Sequence, residues 1–168
     1  GDRLENFIRS NPSPTRIAFD AFHAGEVNDF YASIRAGGVF SDGKGGDFPD
    51  GGSYNVYAKV LNLIHTHWCH RPGPGYPNGR HPIGSAIDSC LHIPIDSRIA
   101  NGVKPMIIAG HLPRIPAPMF SSKAKKMSNW IAMTSIRNKE NYDAFQTYFR
   151  DVADPLGLSP VEAFEGFW

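Results

Sequence analysis

Hydrophobic positions divide this chain into short blocks separated by stretches rich in glycine and proline. In residues 2–10, Leu4, Phe7 and Ile8 share one face of a short helix, which Asn11, Pro12, Ser13 and Pro14 break. A second amphipathic helix is predicted over residues 13–25, with Ser13 as N-cap, Pro14 in the first turn and Gly25 just past its end. A strand is then expected from Glu26 to about Ile34. Residues 54–64 are rich in β-branched and aromatic side chains with no glycine or proline among them, so they also read as a strand. Ser85 to Asp88 has the pattern of a capping box opening a helix that Asn101 and Gly102 stop, and residues 103–110 look like another buried strand. One more strand is expected at 130–136. Tyr142, Phe145, Tyr148, Phe149 and Val152 recur at helical spacing within 138–153, and Ser159, Pro160 and Glu162 open a last short helix. The alternation predicts one α/β (α+β) domain over residues 1–168, with a C-terminal helical extension at 138–168.

His65 and His67 give that pattern a chemical meaning. Side chains two apart on a strand point to the same face, with Cα atoms about 6.5–7 Å apart, so both imidazoles would reach one ion. A catalytic zinc site takes three protein ligands and keeps a position open for water, and Asp88 is the candidate third ligand. The order His65-Thr66-His67, then Ser85-Ala86-Ile87-Asp88, resembles the signature of the JAMM (JAB/MPN+) metalloproteases, a family that cleaves isopeptide bonds to ubiquitin-like proteins. The resemblance, which covers roughly residues 13–110, implies a single JAMM-like domain with its core there, a cytidine-deaminase-like mixed sheet flanked by helices, Zn²⁺ held by His65, His67 and Asp88, and Ser85 steadying the oxyanion. By the same resemblance Glu26, which follows an amphipathic helix, is the general base. The implied activity is zinc-dependent hydrolysis of a peptide or isopeptide bond, with a protein or peptide as substrate.

The chain departs from the family pattern at three places. Trp68 follows the second histidine where the family usually has proline, the stretch from His67 to Ser85 is longer than usual, and Asp29 stands where a glycine often follows the glutamate. Two other readings stay open, a catalytically inactive JAMM-like binding or scaffold module and a JAB-like domain of a bacterial toxin or phage protein. Ser85 to Asp88 is also an ordinary capping box. Cys69, Cys90, His70, His81 and His92 raise a structural zinc in the long loop, although they match none of the paired Cys-x-x-Cys spacings.

With 168 residues and 41% apolar content, the chain can bury a single core. Lysine and arginine, 17 in all, nearly balance 16 acidic residues, so the long-range field is weak and gives no argument for a nucleic-acid partner. Lys123, Lys125 and Lys126 read as a solvated surface run. No apolar stretch approaches the ~20 residues that span a bilayer and no signal peptide is visible, so no membrane partner is expected. Two cysteines make no disulfide framework, which favours a cytoplasmic over a secreted setting. Oligomeric state is left open.

Overall fold

The computed structural model describes residues 2–35, 48, 52–70, 86–115, 136 and 138–167. Among them 75% are helical and none is in a strand, which overturns the expected α/β mixed sheet. The helices are α1 (Asp2–Ser10), α2 (Arg16–Arg35), α3 (Tyr54–His70), α4 (Ser97–Ile108), α5 (Lys139–Ala153) and α6 (Pro160–Phe164), with 3₁₀ turns at Asp88–Cys90, Asp154–Leu156 and Glu165–Phe167. The expected strand at 130–136 lies outside the described residues except for Ile136, which is buried.

Three predicted strands turn out to be helix, each for a definable reason. Gly25 does not end α2, because Phe19, His23, Val27 and Tyr31 are all buried at fourfold spacing and carry one face straight through it. The helix starts two residues later than expected, capped by Thr15, whose Oγ1 accepts from the amide of Ala18 at 3.2 Å. In α3 the buried positions Tyr54, Ala58, Leu61, His65 and Trp68 recur every three or four residues, and this periodicity overrides the β-propensity of the individual side chains. Residues 103–110 belong mostly to α4, which buries Ile99, Val103 and Ile107 on one face. Asp96 caps α4 by accepting from the amides of Arg98 and Ile99 at 2.8 and 3.1 Å. Gly102 stays inside it because the Phe167 ring occupies the space a Cβ would need. The true stop is Gly110, at φ +77°, where its amide bonds to Ile107 and that of His111 to Met106, closing a Schellman motif.

Gly25 is exposed in the interior of a helix, and a Cβ there would meet no atom within 4 Å. Gly25→Ala should therefore stabilise the protein by ~0.5–1 kcal/mol, read as a raised urea midpoint with unchanged helical circular dichroism. A loss of stability would contradict a continuous α2.

The C-terminal elements match their sequence signals. Asn138 caps α5 on the amide of Asn141 at 2.9 Å, and Tyr142, Phe145, Tyr148 and Phe149 are buried along it. Ser159 and Glu162 form the capping box of α6, with bonds of 3.2 and 2.9 Å.

Between α3 and α5 runs residues 91–96, buried as far as Ile95 and extended without any sheet partner among the described residues. Its backbone polar groups are satisfied by side-chain amides instead. Gln146 of α5 accepts from the amide of Ile93 at 2.9 Å and donates to its carbonyl at 2.8 Å. From α3, Asn62 donates to the same carbonyl at 2.9 Å and Asn55 to that of Ile95 at 3.1 Å. Buried main-chain groups must be paired somewhere, and here two helices supply what a sheet would otherwise provide.

Candidate functional site

The apolar interior falls into two clusters with a polar layer between them. One holds Val27, Tyr31, Tyr57, Leu61, Ile93, Phe145 and Phe149, and the other Leu4, Ile8, Phe19, Trp68, Cys69 and Leu91. Along α2, His23 lies between Phe19 of one cluster and Val27 of the other; His65 on α3 is likewise flanked by Trp68 and Leu61, and His92 by Leu91 and Ile93. All three imidazoles are buried, and the ring of His23 sits 4.3 Å from that of His92 and 5.9 Å from that of His65.

One hydrogen-bonded chain connects most of this layer. Arg150 donates two bonds to Asp20, at 2.9 and 2.6 Å, and a third to the carbonyl of Cys90 at 3.0 Å. Burial would raise the Asp20 carboxyl, but Arg150 and His92 hold it well below the usual carboxylate range. As an ionised acceptor, Asp20 assigns the proton of His92 to Nε2, 2.7 Å away. Nδ1 of His92 then accepts from the Tyr142 hydroxyl at 2.8 Å, whose oxygen accepts from Asn62 at 2.9 Å. Asn62 Oδ1 accepts from His23 Nε2 at 2.7 Å, which closes the sequence with every direction consistent. Burial keeps His23 and His92 neutral by lowering both, and lifts the Tyr142 hydroxyl well above its ordinary range. Its imidazoles and the Tyr142 hydroxyl are buried and hydrogen-bonded within the chain, which reaches the surface at the partly exposed Asp20.

Chemistry open to a ligand lies on the other side of His65. A cleft of about 370 Å³ opens between α1, α2 and α3, with Leu4, Leu61, Ile64 and Trp68 as its apolar wall and Asp2, Arg3, Glu26 and His65 as its polar lining. That volume falls within the range of small-molecule sites. Glu26 is largely covered, at 12% side-chain exposure, and burial lifts its carboxyl above the ordinary range; Arg3 opposes the shift and Asp29 adds to it. Arg3 Nε approaches Glu26 Oε1 to 2.7 Å, but its N–H is not directed at that oxygen, which is left without a hydrogen bond. The same guanidinium is shared with Asp29, also at 2.7 Å. Burial lowers His65 to about 4, so the ring is neutral at physiological pH, and its Nδ1 is buried with no hydrogen-bond partner.

The residues expected to form a zinc site are not brought together. On a helix, side chains two apart point about 200° away from each other. His65 is accordingly buried against Phe19 and Phe22, whereas His67 is exposed. Asp88 begins a 3₁₀ turn and its carboxylate meets His70 Nε2 at 2.8 Å rather than either predicted ligand. Ser85, the expected oxyanion partner, lies outside the described residues, as does His81 of the alternative structural site. Among the described residues no three His, Cys, Asp or Glu side chains are grouped to hold a metal ion, so the set His65, His67 and Asp88 does not fit Zn²⁺ in this fold. Cys69 and Cys90 are both free and buried, and burial beside Asp88 pushes the Cys69 thiol up to about 12, far from a reactive thiolate. Among the described residues, the expected catalytic and metal residues that share a cleft are Glu26 and His65, across α2 and α3.

Arg3, Asn62, Tyr142, Asp20 and Arg150 were not signalled by any motif. The available signal was positional, because His23 and Asn62 are polar residues standing on the apolar stripes of α2 and α3. The class these features define is a helical domain with a largely buried polar layer and one mixed cleft beside it. Comparison of the chain with models of protein families, with curated proteins and with solved structures found no match. Among the described residues no helix is long and apolar enough to cross a membrane.

Proposed function

We propose that the protein binds a small organic molecule in the cleft between α1, α2 and α3, with Glu26 and His65 as its acid–base groups. A single observation carries this reading: a ligand-sized cleft contains a carboxyl raised by burial beside a neutral imidazole whose buried Nδ1 has no partner. Perturbed titrating groups that converge in a cleft are the physical mark of a working site. Glu26, lifted toward neutrality, can take a proton from a bound group and return it, and His65 can accept or donate a hydrogen bond without carrying charge. Among the described residues, zinc-dependent peptide hydrolysis has no ligand set, since His65, His67 and Asp88 do not meet.

The test is a nuclear magnetic resonance titration with benzyl alcohol, a neutral probe that fits the cleft. Amide shifts should be confined to residues of α1, α2 and α3 around Leu4, Glu26 and His65, and Ile64→Trp, which fills the rim from a half-exposed position, should abolish them. Displacing water from Glu26 should also raise its carboxyl titration further. An absence of binding, or shifts scattered over the surface, would overturn the proposal.

A further inference from the structure

The residues lining the cleft carry two buried polar atoms without a hydrogen bond, and each can accept one: Glu26 Oε1 as a carboxylate, and His65 Nδ1 when the ring proton is on Nε2. Glu26 Oε1 is a carboxylate oxygen not engaged by the N–H of Arg3, and His65 Nδ1 is the nitrogen of a neutral ring at 4% exposure. A buried acceptor without a donor costs on the order of 1–3 kcal/mol, so a guest that donates to His65 Nδ1 relieves such a penalty, and one that also donates to Glu26 Oε1 adds a hydrogen bond to a carboxylate held so far by the Arg3 ion pair alone. Charge narrows the choice. Asp2 and Glu26 line the cleft with Arg3, whose guanidinium is shared with Asp29 outside the lining. The neutral His65 adds no positive charge to repel a cation. Leu4, Leu61, Ile64 and Trp68 provide a wall for an apolar body, and an aromatic ring in such a wall favours a nearby cation more than an aliphatic side chain does.

We propose that the ligand is an organic ammonium, a primary amine carried on an apolar or aromatic body, whose N–H groups donate to Glu26 Oε1 and His65 Nδ1 while its body lies on Leu61, Ile64 and Trp68. Three donors on one compact cation match two acceptors and leave one for solvent at the mouth. Hydrogen bonds from an ionised donor to an ionised acceptor are about twice as strong as neutral ones, so the carboxylate is the main source of selectivity. Arg3 competes with the ligand for Glu26, and at 61% side-chain exposure it can swing into water or remain on Asp29 when an ammonium arrives.

This inference rests on the cleft being a ligand site, and the experiment separates the two. Benzylamine, benzyl alcohol and benzoate are titrated at pH 7 against the whole chain, with amide shifts around Glu26 and His65 as the readout. Benzylamine should bind about tenfold or more tightly than benzyl alcohol, a difference of ~1.4 kcal/mol, and benzoate should bind more weakly than either. Glu26→Gln should bring benzylamine down to the affinity of the alcohol, and Arg3→Ala, at an exposed position that leaves the core intact, should tighten benzylamine binding. Equal affinity for amine and alcohol, a preference for benzoate, or weaker amine binding in Arg3→Ala would each overturn the ammonium assignment while the cleft remains a ligand site. Failure of all three probes to bind would remove the cleft reading and this inference with it.

Discussion

Replacing Asp20 with alanine is expected to cost about 3–5 kcal/mol of stability, and replacing Arg150 with methionine about 2–3 kcal/mol, in urea unfolding at pH 7. The order follows from exposure. The Arg150 side chain is only 8% exposed, so without Asp20 its charge stays buried with the Cys90 carbonyl as its remaining described acceptor, and the Nε2 proton of His92 loses its acceptor as well. Asp20 is 34% exposed, so without Arg150 it can recruit water while still accepting from His92. Because the two residues share one network, the double variant should lose less than the sum of the single losses. A larger loss for Arg150→Met than for Asp20→Ala would mean that the carboxylate, not the guanidinium, is the group that depends on the pair.

Acid should destabilise this protein well above the ordinary carboxylate range. Burial lowers His65 from 6.5 to about 4 and also lowers His23 and His92, so between those pH values the unfolded chain takes up protons that the folded one refuses. For groups depressed in this way the stabilising contribution is complete above about pH 6.5 and is lost as pH falls through the window toward the folded value. His65 alone accounts for about 2 kcal/mol by pH 5 and about 3 kcal/mol by pH 4, at 1.36 kcal/mol per unit of difference. Asp20 extends the loss to lower pH, since its folded carboxyl lies below the ordinary 3.8 and its contribution is released only as pH falls through that value. Urea midpoints at pH 7.5 and 5.0 measure this directly. Equal midpoints would show that the imidazoles are hydrated in the native state, and His65→Leu should flatten the dependence in the upper part of the window.

How far the sequence could be read depended on whether an element announces its own ends. α1, α5 and α6 carry caps and breakers at the right distance, Asn11 and Pro12 after the first, Asn138 before the second, and the Ser159–Glu162 box in the third, and each is found where those signals place it. α2, α3 and α4 instead contain residues that usually end or oppose helices: Gly25, the run of tyrosines and valines from Tyr54 to Val60, and Gly102 with Pro105. In each of them tertiary burial along a stripe outweighs local preference. Length would have corrected α3, because residues 54–64 already exceed an ordinary strand. The error then propagated to chemistry, since His65 and His67 chelate only if the chain has a twofold period. Glu26 and His65 line one cleft because α2 packs on α3, a reason unconnected with the strand register that suggested His65 as a zinc ligand and with the resemblance that made Glu26 its general base. The polar layer was hidden for another reason. Asp20, His92, Tyr142 and Arg150 are far apart in sequence, and only the closed fold makes them neighbours.

The extended segment at residues 91–96 shapes how this fold can assemble. Helical chains usually fold quickly because most of their contacts are local. Here Ile93 obtains its backbone partners from Asn62, 31 residues earlier, and from Gln146, 53 residues later, so the segment has nowhere to dock until α3 and α5 have already met. Topologically the protein behaves at this point like a sheet: its slowest closure is the insertion of one strand-like piece between two walls that arrive from opposite ends of the sequence.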